Sequence, residues 1–237
     1  MLDAYSRTAR LAPAILAGLP ALAVLIAGVT SPWTPLRAGA SLAGGAGLVI
    51  VALVRDRGRA VQAQLWSTWG GSPSTRRLRW RDGDHPQVVR LHERVEQATG
   101  LDLPDAAAEE TDPDEADARY EEAVGALRDL TRNQDRFPLV FEENVNYGWR
   151  RNSLGLRPLA IAIALLAAGA SIAILALGPG SIDARAARWV PALAIAALAT
   201  LWWVLVVTEQ WVRSAAELYS DRLFESAHTL GRDSQAR

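Results

Sequence analysis

The sequence predicts an all-α membrane protein: four transmembrane helices in two hairpins, a helical cytoplasmic region between them, and a C-terminal cytoplasmic helix. Three observations lead there. Charge is segregated: Arg37 is the only charged residue between Leu11 and Val54, and none falls between Pro158 and Ile182 or between Trp189 and Thr208. Those uncharged runs have about the length a helix needs to cross a hydrocarbon core, roughly 20 residues at 1.5 Å each. The arginines, finally, crowd one side of the runs. A mean hydropathy of +0.05 hides all this by averaging two unlike regions.

Residues 1–10 read as a cytoplasmic tail and 11–54 as the first hairpin. Its first span, Leu11 to Val29, tolerates Pro13 in the first turn, whereas Pro20 in the middle predicts a kink. The second span, Ala38 to Val54, is shorter and rich in glycine, and it is delimited by Trp33 and by Arg55, Arg57 and Arg59. A cleaved signal peptide is the rival reading of the N-terminus. The apolar run is longer than a typical signal core, and its removal leaves a strongly basic flank outside, so an uncleaved helix is preferred.

The second hairpin covers 158–208, with spans from Pro158 to Leu177 and from Trp189 to Thr208. Gly178, Pro179, Gly180 and Ser181 supply the turn, and Trp189, Trp202, Trp203 and Trp211 mark the ends of the last span. The connections within the hairpins carry Arg37 in one and Arg185 and Arg188 in the other, against sixteen arginines in 55–157. The positive-inside rule therefore places both termini and 55–157 in the cytoplasm, and the protein in a bacterial inner membrane. No Asp, Glu, Arg or His lies within the four spans, which weighs against proton-coupled transporters, pumps and voltage sensors. Small residues recur at four-residue spacing: Ala40 with Gly44, Ser41 with Gly45, Ala43 with Gly47, and Ala160, Ala164 and Ala168. Such faces let helices pack closely, within one chain or between copies.

The region 55–157 reads as helical. A helix over Val61 to Trp69 prolongs the second span. Asp84 opens a second helix that carries Val88, Leu91 and Val95 on one face and stops at Gly100. Asp112, Pro113 and Glu115 open a third with a box-like cap, and Ala116, Tyr120, Ala123, Leu127 and Leu130 form its apolar face. Charge divides this region too. Six arginines face three acids from Arg76 to Arg94, and ten acids face one arginine from Asp102 to Glu122.

Two segments are chemically richer than their surroundings. In 65–80, consecutive glycines and hydroxyls precede arginines, so Arg76, Arg77 and Arg79 are candidate contacts for an anion or a lipid headgroup. The lysine and spacing of a P-loop are absent, and a helix-ending turn is the simpler reading of the glycines. In 137–152, Phe141, Asn144, Asn146, Tyr147 and Trp149 form a candidate juxtamembrane coupling element. Glu142 and Glu143 are adjacent and so point to different sides of a helix, unsuited to paired acid–base work.

The segments WGGSPSTR (69–76) and FPLVFEENVNYGWRRN (137–152) resemble a family of four-span membrane proteins of high-GC bacterial genomes, a resemblance that implies no activity. The two-hairpin layout alone is similar to that of pore-forming defence effectors.

All 25 basic residues are arginine and there is no cysteine, which removes thiolate metal sites, cysteine nucleophiles and disulfides. His85, His92 and His228 show no ligand spacing, and His85 and His92 read as a solvated pair. No catalytic, metal or cofactor site is expected, and a net charge of −1 gives no reason to expect nucleic acid as a partner. Beyond Thr208 the last span is expected to continue as one helix, so that 209–237 is a C-terminal helix followed by a disordered tail from Arg232 to Arg237. Val212, Ala216, Tyr219, Leu223, Ala227 and Leu230 form a near-heptad seam before Gly231 stops it. The seam suits a coiled coil or packing on the helix of Pro113 to Asn133. The resulting expectation is a non-enzymatic membrane regulator or scaffold acting through its cytoplasmic helices. Its partners are lipids and either further copies of itself or a partner membrane subunit. An oligomeric pore and an accessory transporter subunit are the alternatives.

Overall fold

The computed structural model describes residues 5–28 and 52–235, all helices and connecting turns with no strand among them. A π-helical turn, Ser6–Leu11, leads into α1 (Ala12–Gly28). Helix α2 covers 52–69. Next come α3 (Pro73–Leu78), α4 (His85–Thr99), α5 (Ala106–Thr111) and α6 (Pro113–Leu130). The chain ends with α7 (Pro138–Leu177), α8 (Ile182–Leu205) and α9 (Glu209–Gln235). The second expected span, with its stripe from Ala40 to Gly47, lies outside the described residues apart from 52–54.

The chain forms two compact units. One comprises the described residues of Met1–Gln62 and Gly148–Val212, the other Ala63–Tyr147 and Arg213–Arg237. Among the described residues, three helices are long and apolar enough to cross a membrane: Thr8–Gly28, Pro138–Leu177 and Ile182–Leu205.

In the first unit, Ala17, Val54, Leu156, Ala160, Trp203 and Val207 form one buried cluster, and Ala27, Trp189 and Ala192 another. Alanine, valine and tryptophan, with Leu156, make most of these contacts. Leu166, Leu177, Leu198 and Leu205 are instead 67–86% exposed, the inverse of a water-soluble helix bundle. The stripe of α7 faces inward: Ala160, Ala164, Ala167 and Ser171 are buried, and Ala168 is only half-buried. Ser171 and Thr200 donate their hydroxyls to the carbonyls of Ala167 and Ala196, each at 2.8 Å, so their polar groups are satisfied within their own helices.

A tight crossing lies among the start of α1, α2 and α7. Pro13 has no N–H to offer the carbonyl four residues earlier, that of Ala9. That carbonyl accepts instead from Nδ2 of fully buried Asn152 at 2.6 Å. Glycine makes this approach feasible: a Cβ on Gly155 would lie 3.0 Å from the Arg57 carbonyl carbon, and one on Gly58 only 1.9 Å from Asn152 Oδ1. At the other end of α7, Arg185 Nη1 donates to the Gly178 carbonyl at 2.6 Å, Gly180 takes a positive φ of 90°, and Ser181 caps α8.

Three expectations about the C-terminal part change. The helix does not run unbroken past Thr208. Helix α8 stops at Leu205, and the Thr208 hydroxyl accepts the Trp211 N–H at 3.2 Å, which makes Thr208 the cap of a new helix. Gly231 does not end that helix, which continues to Gln235 with Gly231 buried beside Gln97. Nor do Trp189 and Trp203 form an outer belt, since both are buried.

In the second unit α4 and α6 follow the expected outline. Gly100, with φ of 72°, ends α4, and the Asp112 carboxylate accepts the Glu115 N–H at 3.0 Å. The capping box stays half-made, because the Asp112 N–H is already bonded to the Ala108 carbonyl and Glu115 turns to Arg119. Leu78, Val95, Tyr120, Ala123, Val124 and Leu127 pack with Leu223, Phe224 and Ala227 of α9 in one core. The seam of α9 is thus used inside the chain: Leu223 and Ala227 are fully buried, and Tyr219 and Leu230 are packed against the core.

Candidate functional site

The second unit holds the richest chemistry, and it begins with the segment after α2. Gly70 and Gly71 turn the chain with φ of 75° and 126°, a conformation that disfavours side chains, and their N–H groups bond the carbonyls of Ser67 and Trp66. These amides are spent in closing a helix end and do not cradle an anion. Ser72 then caps α3, its hydroxyl accepting the Thr75 N–H at 3.1 Å, with Pro73 in the first turn.

From this turn the arginines of 76–81 separate into two groups. Arg79 is buried and grips Asp117 with two bonds of 2.7 Å, and it donates a third, of 2.6 Å, to the Gly70 carbonyl. Partial burial alone would lower its pKa, but Asp117 and Asp82 outweigh that and raise it. Arg81 bridges the same Asp117 and Glu109. Glu109, only 3% exposed, accepts from the N–H groups of Trp80 and Arg81, from Arg81 Nη1 and from the Tyr120 hydroxyl at 2.8 Å. Burial, and then Glu109, push the Tyr120 hydroxyl's pKa up, so it remains a donor.

His92 lies in the same cluster. It is buried, with Trp80 edge-on at 5.0 Å and Tyr120 at 5.6 Å, which overturns the reading of His85 and His92 as a solvated pair. Its Nε2 lies 2.7 Å from the Leu78 carbonyl, which can only accept, so Nε2 carries the proton. Burial lowers its pKa, and the Leu78 bond with the charges of Glu96 and Glu109 offsets only part of that. The whole cluster is a saturated polar core that ties 78–81 to α5 and α6.

Arg76 and Arg77 go elsewhere. Together with Arg90 and Arg94 of α4 and Arg213 of α9 they line a cavity of about 670 Å³ within this unit. Its acidic lining is Asp82, Asp84 and Glu217, and Val88, Leu91 and Pro73 supply apolar wall. Arg76 pairs with Asp82 at 3.2 Å and Arg213 with Glu217 at 2.9 Å, while Arg77 pairs with Asp221. Arg213 also sits 5.8 Å from the Trp69 ring centroid. Of the three candidate anion contacts, the structure brings together Arg76 and Arg77 and assigns Arg79 to the polar core.

The candidate coupling residues also separate. Tyr147 stacks on Tyr219 at 6.5 Å, and Asn146 donates to Glu143 at 3.0 Å, both within the second unit. Trp149 packs edge-on against Trp211 at 5.0 Å in the first unit, where Arg150 covers the same ring and donates to the Trp211 carbonyl. Phe141 and Asn144 are half-buried on the α7 segment that precedes them.

Sequence reading passed over Arg90, Arg94, Arg213, Glu109 and Asp117. The four-residue spacing of Arg90 and Arg94 beside Val88 and Leu91 was the available signal for two of them. Nothing in the acidic run marks Glu109 apart from Glu110. Comparison with protein family models, with characterised proteins and with solved structures finds no match for this chain.

Proposed function

We propose that the protein is a multi-pass bacterial inner-membrane protein that serves as a non-enzymatic regulator or scaffold through a cytoplasmic helical unit. In this reading four spans form two hairpins, and both termini lie in the cytoplasm with 55–157. The observation that carries it is the inverted surface of the first unit. Leu166, Leu177, Leu198 and Leu205 point outward, while alanines and tryptophans make the internal contacts. Such a surface is stable in hydrocarbon and costly in water. The inward-facing stripe of α7 and the self-satisfied hydroxyls of Ser171 and Thr200 support an anchor over a pore lined by those groups. For the second unit, a saturated polar core supports a rigid binding platform more than a reaction centre.

Because the chain lacks cysteine, single substitutions report topology directly. Ala184→Cys and Glu93→Cys both occupy exposed positions. A membrane-impermeant maleimide is expected to label Ala184→Cys in intact spheroplasts and Glu93→Cys only after lysis. The reverse pattern overturns the orientation, and recovery of the protein in the soluble fraction overturns the membrane reading.

A further inference from the structure

We infer that the arginine-lined cavity of the second unit is a binding site for a phosphate-bearing ligand. Five arginines and three carboxylates line it, a surplus of two positive charges. Pairing does not use up that surplus. Asp82 is taken by Arg76 and Arg79, and Glu217 by Arg213, whereas Arg77 reaches outside the lining to Asp221. Arg90 and Arg94 have no ion-pair partner among the described residues, and they sit one helical turn apart on α4, both exposed. Two adjacent guanidiniums with unengaged donors, backed by three more, match the planar, multidentate recognition that phosphate oxygens favour.

The remaining lining refines the ligand class. Among the described residues Asp84 is the one acid of the lining without an ion-pair or side-chain hydrogen-bond partner, and its carboxylate does not even cap α4. It opposes any anion, so the ligand must carry enough charge to engage both Arg90 and Arg94 against it, as a diphosphate or a phosphorylated headgroup does. The apolar wall of Val88, Leu91 and Pro73 gives room for the uncharged part of such a molecule. This inference stands on the second unit alone and is independent of the topology proposed above.

The test uses the full chain in phosphatidylcholine nanodiscs, with hydrogen exchange read over α4. One arm adds inorganic pyrophosphate; the other replaces part of the lipid with phosphatidylglycerol and adds no soluble anion. Protection of 85–99 by pyrophosphate identifies a soluble phosphorylated ligand, and protection by phosphatidylglycerol identifies a headgroup. Either supports the site if Arg90→Gln with Arg94→Gln abolishes it. Calorimetric affinity for pyrophosphate should fall about tenfold or more per guanidinium removed. Arg132→Gln, on an exposed residue outside the lining, should leave it unchanged. Asp84→Asn, which keeps a capping residue type, should tighten binding. No protection in either arm, or protection that persists in the Arg90→Gln/Arg94→Gln protein, overturns the proposal.

Discussion

The two units are built from the same element and differ in which side chains they turn outward. In the first, large aliphatic residues lie on the surface, and the interior is closed by alanine, tryptophan and glycine at short range. In the second, Leu78, Val95, Leu127 and Leu223 are fully buried, while exposed positions of α4 and α6 carry arginine and carboxylate. The driving forces follow from this difference. In water, burial of apolar area is what holds an interior such as the second unit's together. In hydrocarbon that force vanishes between helices, and close packing through small residues with saved hydrogen bonds takes over.

The sharpest way to break this contrast is at the buried charge of the second unit. Glu109→Ala removes the acceptor of the Trp80 and Arg81 backbone N–H groups, the short bond of the Tyr120 hydroxyl and one of the two carboxylates that Arg81 bridges, and it should destabilise that unit by about 3–5 kcal/mol in chemical denaturation. A loss near zero would mean that the polar core is not a unit of stability.

Next comes a matched pair of leucines. Leu223→Ala should cost about 2–5 kcal/mol, whereas Leu166→Ala, at a 74% exposed position, should stay within about 0.5 kcal/mol. Leu166→Arg should nonetheless impede membrane insertion, by about 2.5–3.5 kcal/mol in an insertion assay. Arginine tolerated at Leu166 as readily as at the exposed Leu130 would erase the distinction between the units.

A smaller effect belongs to the first unit's packing. Gly155→Ala places a methyl group about 3.0 Å from the Arg57 backbone, and it should lower thermal stability by about 1–3 kcal/mol. Gly169→Ala, where nothing lies within 4 Å of the added Cβ, should not do so.

The smallest is a pH dependence at His92. Burial lowers its folded pKa below the unfolded value of about 6.5, so the unfolded chain takes up the proton first. Stability therefore falls as pH drops through about 6.5 toward the folded pKa and is unaffected by this group above that range. His92→Gln keeps a donor for the Leu78 carbonyl and should flatten that part of a melting temperature–pH curve.

Most of the helices were legible in the residues because their causes are local. Hydropathy over about 20 residues marks α1, the latter part of α7 and α8. Asp112 with Pro113 opens α6, and Gly100 closes α4. The break at Thr208 was local too, but it was masked by an apolar run that reads equally well as continuous helix.

The candidate site was legible only in part. Arginines at 76, 77 and 79 look alike in sequence, yet two reach a cavity and one is locked to Asp117, 38 residues away. The ion pair of Arg77 with Asp221 spans 144 residues.

What the sequence by itself determined is the helical class, the three apolar helices and several helix ends, such as those of α4 and the start of α6, because solvent preference and capping act over one to five turns. What only the tertiary structure decided is which charges are spent and which remain open. Glu109, Arg79 and His92 are buried, and Arg90 and Arg94 line a cavity without an ion-pair partner among the described residues, because partners are assigned by packing distant segments together. A charge's chemistry depends on that partner and on its exposure to solvent, and neither is written in its neighbours along the chain.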